Sequence, residues 1–175
     1  APRGHGKTTI CTIAYTLWFL LGDRERRVFI VSNTASQAQG FLREIRQHLE
    51  RNDVIRAHLA PRRGAVWRTD QLFLPDRKRF AKEASITVCG VLGPVISRHF
   101  DMIILDDVVD EENAFTERMR HRLLTWFYKV LMPCLEPWGE LHIVGTRYHE
   151  QDLYGHLISI AEEVVRQEPS DRPAC

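Results

Sequence analysis

Residues 4–9 read Gly4-His5-Gly6-Lys7-Thr8-Thr9 and run straight into the apolar stretch Ile10 to Leu21. A glycine-rich loop that opens a helix offers an anion its backbone N–H groups and the positive end of the helix dipole, and its small residues let the backbone come close. In that P-loop pattern Lys7 reaches the β- and γ-phosphates of a nucleotide, and the Thr8 hydroxyl holds Mg²⁺. The full pattern places glycine five positions before Gly6, where this chain has Ala1. A helix N-terminus that merely contains Gly-Lys-Thr is the competing reading of these residues in isolation.

Outward from the loop, the spacing predicts a buried helix over Thr8 to Leu21 and a charged turn over Gly22 to Arg27. Val28 to Ser32 is a short β-branched run and reads as a strand. Asn33 to Ser36 can cap a helix carrying Ala38, Phe41, Leu42, Ile45 and Leu49 at helical spacing. Pro61 to Pro75 has room for a small hairpin, Ser85 to Cys89 reads as a strand, and Gly90 to Arg98 as a Gly/Pro loop. Asp101 to Leu105 is a buried strand. One long helix is expected over Glu111 to Leu131, stopped near Pro133, then a strand over Leu141 to Val144 and a closing helix over Gln151 to Val165. Strands alternating with helices imply an α/β fold, a mostly parallel sheet with helices on both faces. Such sheets carry their sites at the carboxyl ends of the strands.

Two further signals fall at such ends. Met102-Ile103-Ile104-Leu105-Asp106-Asp107 is an apolar strand delivering two carboxylates, the Walker B pattern. Asp106 would coordinate Mg²⁺, and Asp107 would orient and deprotonate an attacking water. Many ATPases of this kind have glutamate at the second position, so Glu111 and Glu112 stay open as alternative bases. A polar strand end explains the two aspartates equally well in isolation; together with the Gly-Lys-Thr loop they point to nucleotide hydrolysis. The third signal, His142-Ile143-Val144-Gly145-Thr146-Arg147, ends a strand in a small polar residue. Thr146 there can sense the γ-phosphate, or simply cap a strand-to-helix turn.

The 175 residues suffice for one α/β domain with its own core. With 24 Lys plus Arg against 23 Asp plus Glu, the net charge of +1 excludes a strongly basic nucleic-acid coat, but not a protein that meets DNA through local patches. Arginines cluster at 24, 26 and 27, at 62, 63 and 68, and at 118, 120 and 122, which for any one cluster reads first as solvated surface. The four cysteines, at positions 11, 89, 134 and 175, show no metal or disulfide spacing, which suits a reducing compartment. His5, His99, His142 and His149 have no metal-ligand spacing with cysteine and read as surface or packing residues, and Trp67, Trp126 and Trp138 read as core or rim residues. No apolar run is long enough to span a bilayer, and no signal-peptide pattern opens the chain.

The segments APRGHGKTT, GVLGPVISRHFDMIILDD with its continuation VVDEENA, and TWFYKVLMPCLEPWGELHIVGTRYHEQDLYGHL, in that order, resemble phage terminase large subunits over nearly the whole chain. The last tract is the most specific: an aromatic helix, a Pro-Gly-type turn, a strand, then GTRYHEQDL. The resemblance implies a P-loop NTPase domain of the additional-strand catalytic type over residues 1–168, with a tail over 169–175. It implies that Arg3, Gly4, His5, Gly6, Lys7, Thr8 and Thr9 bind ATP, with Arg3 able to touch the γ-phosphate. Thr8 and Asp106 would hold Mg²⁺. Asp107 would be the catalytic acid position, Gly145-Thr146-Arg147 the coupling motif, and Arg98 a candidate for reaching a neighbouring subunit, where a solvated loop arginine is the competing reading. Implied partners are double-stranded DNA, a portal and a small terminase subunit, in a homo-oligomeric ring in the host cytoplasm and away from membranes. Against that family the chain is expected to be a fragment, with the first strand truncated and the nuclease domain absent. Two other readings remain: a helicase-like P-loop ATPase, which should lack the GTRYHEQDL tract, and a degenerate P-loop module that binds partners without hydrolysis, which Ala1 and Asp107 favour.

Overall fold

The computed structural model describes residues 6–59, 66–74, 77–78, 82–95 and 98–167. Arg3, Gly4, His5, Arg62 and Arg63 lie outside them. The order of elements is helix α1, π-helical over Thr8–Ala14 and α-helical over Tyr15–Gly22; strand β1 (Val28–Ser32); α2 (Ala35–Arg51) and α3 (Asp53–Leu59). Then come β2 (Val66–Trp67), β3 (Gln71–Phe73), β4 (Ile86–Gly90), β5 (Phe100–Asp106), α4 (Glu111–Phe115) and α5 (Glu117–Trp126). A π-turn (Phe127–Leu131) and a 3₁₀ turn (Met132–Cys134) lead to β6 (Leu135–Val144) and α6 (Leu153–Gln167).

The six strands form one sheet in the order β2-β3-β4-β1-β5-β6. The four from β4 to β6 are parallel, and β3 and β2 add an antiparallel edge. The register brings Ser32, Gly90, Asp106 and Val144 to one level, so four strands end on a common rim. Every side chain of β1 is buried, as expected where helices cover both faces. Alternation divides the core into two. Val28, Ile30, Ile86, Val88, Met102 and Ile104 pack under α1 and α2. Phe29, Val31, Phe100, Ile103 and Leu105 pack under α5, the π-turn and α6, with Phe29 stacked on Phe100 at 4.7 Å.

Four expectations need correction. The helix opened by Gly-Lys-Thr is buried along one stripe only: Ile13, Leu17 and Leu20 face the core, while Ile10 and Trp18 are more than half exposed. The long helix over Glu111 to Leu131 is several pieces. Thr116 has extended backbone (φ −105°, ψ 149°) and its hydroxyl accepts from the Met119 N–H at 3.2 Å, starting a new helix. Threonine serves better as an N-cap than inside a helix, because its hydroxyl competes for backbone partners. The Glu136-Pro137-Trp138-Gly139 stretch is not a turn but part of β6, which starts earlier than the apolar pattern suggests and shifts register against β5 between Phe100 and Met102. Finally α3, capped by the Asn52 side chain through the Val54 and Ile55 N–H groups, lies where no element was foreseen.

The arginine clusters dissolve into separate duties. Arg27 is bound to Asp101 and Glu136, and Arg26 lies over the Phe19 ring at 4.1 Å. Arg120 turns back to donate to the Ala114 and Phe115 carbonyls, closing the helix break, while Arg118 and Arg122 stay exposed. Cys11, Cys89 and Cys134 are free thiols, and no helix among the described residues is long and apolar enough to cross a membrane.

Candidate active site

The common rim of β1, β5 and β6 meets the start of α1, and there an open cleft of about 460 Å³ forms. Gly6, Lys7, Thr8 and Thr9 line one side. Asn33 and Gln37 follow β1, Asp107, Val109 and Asp110 follow β5, and Thr146 and Tyr148 follow β6. Gly6 stands at φ +65°, a backbone conformation that a side chain would strain, and its carbonyl accepts the Ile10 N–H at 2.9 Å. That bend sets Lys7 at the helix N-terminus.

Asp106 is fully buried at the end of β5. Thr8 and Thr12, one turn apart on the same face of α1, both donate to it: Thr8 Oγ1 to Oδ1 at 3.2 Å and Thr12 Oγ1 to Oδ2 at 2.5 Å. Burial pushes the Asp106 carboxyl above the usual carboxylate range, and the nearby Asp107 adds to this. The two hydroxyls and Lys7 pull the other way without prevailing. Among the described residues its direct hydrogen-bond partners are the two hydroxyls, with Lys7 acting on it only through charge.

Asp107 differs from its neighbour in every respect. Its side chain is half exposed and lies 3.9 Å from Lys7 Nζ. Its backbone is left-handed (φ 48°), and its N–H donates to the Val144 carbonyl at 2.8 Å. Lys7 Nζ also donates to Thr146 Oγ1 at 3.3 Å. Lys7, the first residue after β5 (Asp107) and the second after β6 (Thr146) therefore meet in one cluster.

Of the residues singled out from sequence, Gly6, Lys7, Thr8, Thr9, Asp107 and Thr146 line the cleft, and Asp106 sits beneath it. Glu111 and Glu112 are exposed in the first turn of α4 and do not line it. Asp110 does, but its oxygens are engaged by the Asn113 N–H at 2.7 Å and the Asn33 amide at 2.7 Å, so it is a helix cap rather than a free base. The Gly145-Thr146-Arg147 motif splits: Thr146 faces the cleft, while Arg147 lines an apolar groove with Tyr154, Leu157 and Ile158. Arg98 does not line the cleft; its guanidinium donates to the Gln71 amide oxygen on β3 at 3.2–3.3 Å, with that amide turned toward it. The Tyr148 to Asp152 tract is a capping device. Buried Asp152 accepts the N–H groups of Tyr148, His149 and Gly155 at 2.8–3.0 Å.

Sequence reasoning missed Thr12, Asn33, Gln37 and Asp110. Thr12 was discoverable, four positions after Thr8 and so on the same helical face. The other three carry no local signal, because only the sheet order brings the ends of β1 and β5 together.

Among the described residues no group of three or more His, Cys, Asp or Glu could hold a metal ion. One buried carboxylate flanked by hydroxyls suits Mg²⁺, which keeps most of its shell as water and phosphate oxygens rather than protein ligands. Asp106 and Thr8 are the residues that could hold it. No protein-family model matches the chain, and no curated protein matches it.

Proposed function

We propose that the protein is a P-loop ATPase, and that it works as the ATP-hydrolysing motor domain of a terminase-like machine that moves double-stranded DNA. The observation that carries the ATPase reading is the convergence of residues far apart in sequence: Thr8 on Asp106 and Lys7 on Thr146, at the carboxyl rim of a parallel sheet. The terminase reading rests in addition on the sequence resemblance above. The chemistry is in-line attack of water on the γ-phosphorus, forming one P–O bond while the bond to the β-phosphate oxygen breaks, to give ADP and phosphate. Lys7 and the N-terminus of α1 bind and neutralise the phosphate oxygens. Asp107, exposed on the cleft wall, orients the water and takes its proton. Thr146 offers its hydroxyl beside Lys7 and feels the presence of the terminal phosphate. Asp106 and Thr8 are the residues that would hold Mg²⁺, which when bound would offset negative charge developing on the phosphate. Catalysis on this scheme comes from positioning and charge, not from covalent chemistry.

The test is ATP hydrolysis by the full-length protein, with and without double-stranded DNA, beside Lys7→Ala. Turnover stimulated by DNA and abolished by Lys7→Ala supports the motor. Turnover without DNA stimulation leaves an ATPase but removes the motor. Turnover that survives Lys7→Ala, or a folded full-length protein with none, overturns the proposal in favour of a binding module.

A further inference from the structure

Tyr154 is the second residue of α6 and is buried, 7% exposed. Its hydroxyl oxygen accepts the N–H of Val108 at 3.1 Å and of Val109 at 3.4 Å. These are the two peptide groups directly after Asp107, whose left-handed backbone (φ 48°) is uncommon for a residue with a side chain. With the Asp107 N–H on the Val144 carbonyl, three consecutive N–H groups of this turn are spoken for, two of them by one phenol. The same ring closes on β6. A Cβ added at Gly145 would come within 2.7 Å of Tyr154 Cε2 and nearer still to its hydroxyl, so glycine is what lets the ring lie against the strand end. Gly145 directly precedes Thr146.

Resting on the ATPase reading, we propose that Tyr154 is a positioning residue: a strut that ties the Gly145-Thr146 strand end to the turn presenting Asp107, and so sets the water-activating carboxylate against the phosphate-sensing threonine. Two buried N–H groups would otherwise lack partners, and the turn would relax toward ordinary backbone angles. Burial raises the phenol above its ordinary range, helped by the charges of Asp107 and Asp152 and against the pull of the Val109 and Val108 N–H groups, so the strut stays a neutral group. A tyrosine that served only as packing would fill the same space with its ring alone. Tyr154→Phe is therefore the decisive change: it keeps the ring and removes only the acceptor.

The experiment uses the full-length protein with two readouts, amide hydrogen exchange and the split of kcat against KM for ATP. In Tyr154→Phe, exchange at Val108 and Val109 is expected to rise at least about tenfold while Ile103 and Ile104 in β5 stay protected. The kcat is expected to fall about tenfold with KM within about twofold, since ground-state binding by Lys7 is untouched. Gly145→Ala should act in the same direction, and combining the two should cost less than the sum. Unchanged exchange, an effect confined to KM, or full additivity would each overturn the strut. If Gly145→Ala does not fold, Tyr154→Phe decides alone. Wild-type protein without turnover, or turnover indifferent to Lys7→Ala, overturns the ATPase reading and with it the catalytic part of the proposal; exchange at Val108 and Val109 still decides whether Tyr154 holds the turn.

Discussion

One strand, β5, carries an aspartate near each end, and the two live in opposite circumstances. Asp101 at the amino end borders a cleft of about 420 Å³; Asp106 at the carboxyl end lies under one of about 460 Å³. Size does not distinguish the clefts, but charge pairing does. Asp101 receives Arg27 through Nε and Nη2, both at 3.0 Å, and through the backbone N–H at 2.8 Å, and Arg27 also reaches Glu136 at 2.7 Å. Burial pushes the Asp101 carboxyl up, but the Arg27 hydrogen bonds and charge outweigh it and hold the group below the usual range. Asp106, whose hydrogen-bond partners among the described residues are two hydroxyls, is pushed the other way by burial. A charge network that is complete without a ligand is structural. One in which, among the described residues, a buried carboxylate is met by hydroxyls alone, beside a helix N-terminus and a left-handed turn, is the kind of arrangement found at functional sites, and it underlies the proposal above.

The largest expected effect tests the amino end. Arg27→Ala strands two carboxylates that are mostly buried, and should destabilise the protein by about 3–5 kcal/mol in chemical denaturation. A loss below about 1 kcal/mol would show the network to be an ordinary surface pair. At the carboxyl end, Asp107→Asn should leave the fold intact, because asparagine tolerates the left-handed region well. Its turnover should drop by about 10²–10³-fold, measured as phosphate release. Glu111→Gln should leave turnover within about twofold; if the two variants exchange behaviour, the base sits on α4 instead.

A smaller effect follows from pH. With its carboxyl held low, folded Asp101 binds fewer protons than in the unfolded chain. Its contribution is therefore complete above the ordinary carboxylate range and is lost as pH falls through the folded value. Denaturation midpoints across that range should show a steeper acid loss in the wild type than in Arg27→Ala. Equal slopes would break the assignment. The smallest effect sharpens the carboxyl end: Thr12→Val removes one of two hydroxyls on Asp106, and should raise the Mg²⁺ requirement of turnover about fivefold, the scale of one hydrogen bond. No change would mean that Thr8 alone sets the carboxylate.

How legible each part was depends on the range of the interaction behind it. Val28 to Ser32 and the Asp101 to Leu105 run announce themselves as strands because full burial demands continuous apolar residues, and α2 because its apolar stripe repeats with the helical period. Thr34 even supplies the cap, accepting from the Gln37 N–H at 3.3 Å. The break at Thr116 was hidden because the residues either side favour helix and only the cap geometry divides them. The Glu136 to Gly139 stretch reads locally as a turn, and becomes strand because β5 offers it a ladder.

By itself, then, the sequence determined the parts: a Gly-Lys-Thr tract opening a helix, an apolar strand followed by two aspartates, a second strand followed by Gly-Thr, and the alternation that makes the sheet mostly parallel. Those features are local, written in side-chain size, polarity and spacing. Only the tertiary structure decided which aspartate is buried and which is exposed, that Thr12 joins Thr8 on Asp106, that Asp110 is engaged as a cap, and that Tyr154 spans the turn and the strand end. These depend on the strand order β1-β5-β6 and its register, which bring together groups from opposite ends of the chain. Contacts across so many residues are set by the packing of the whole sheet, and no short stretch of sequence encodes them.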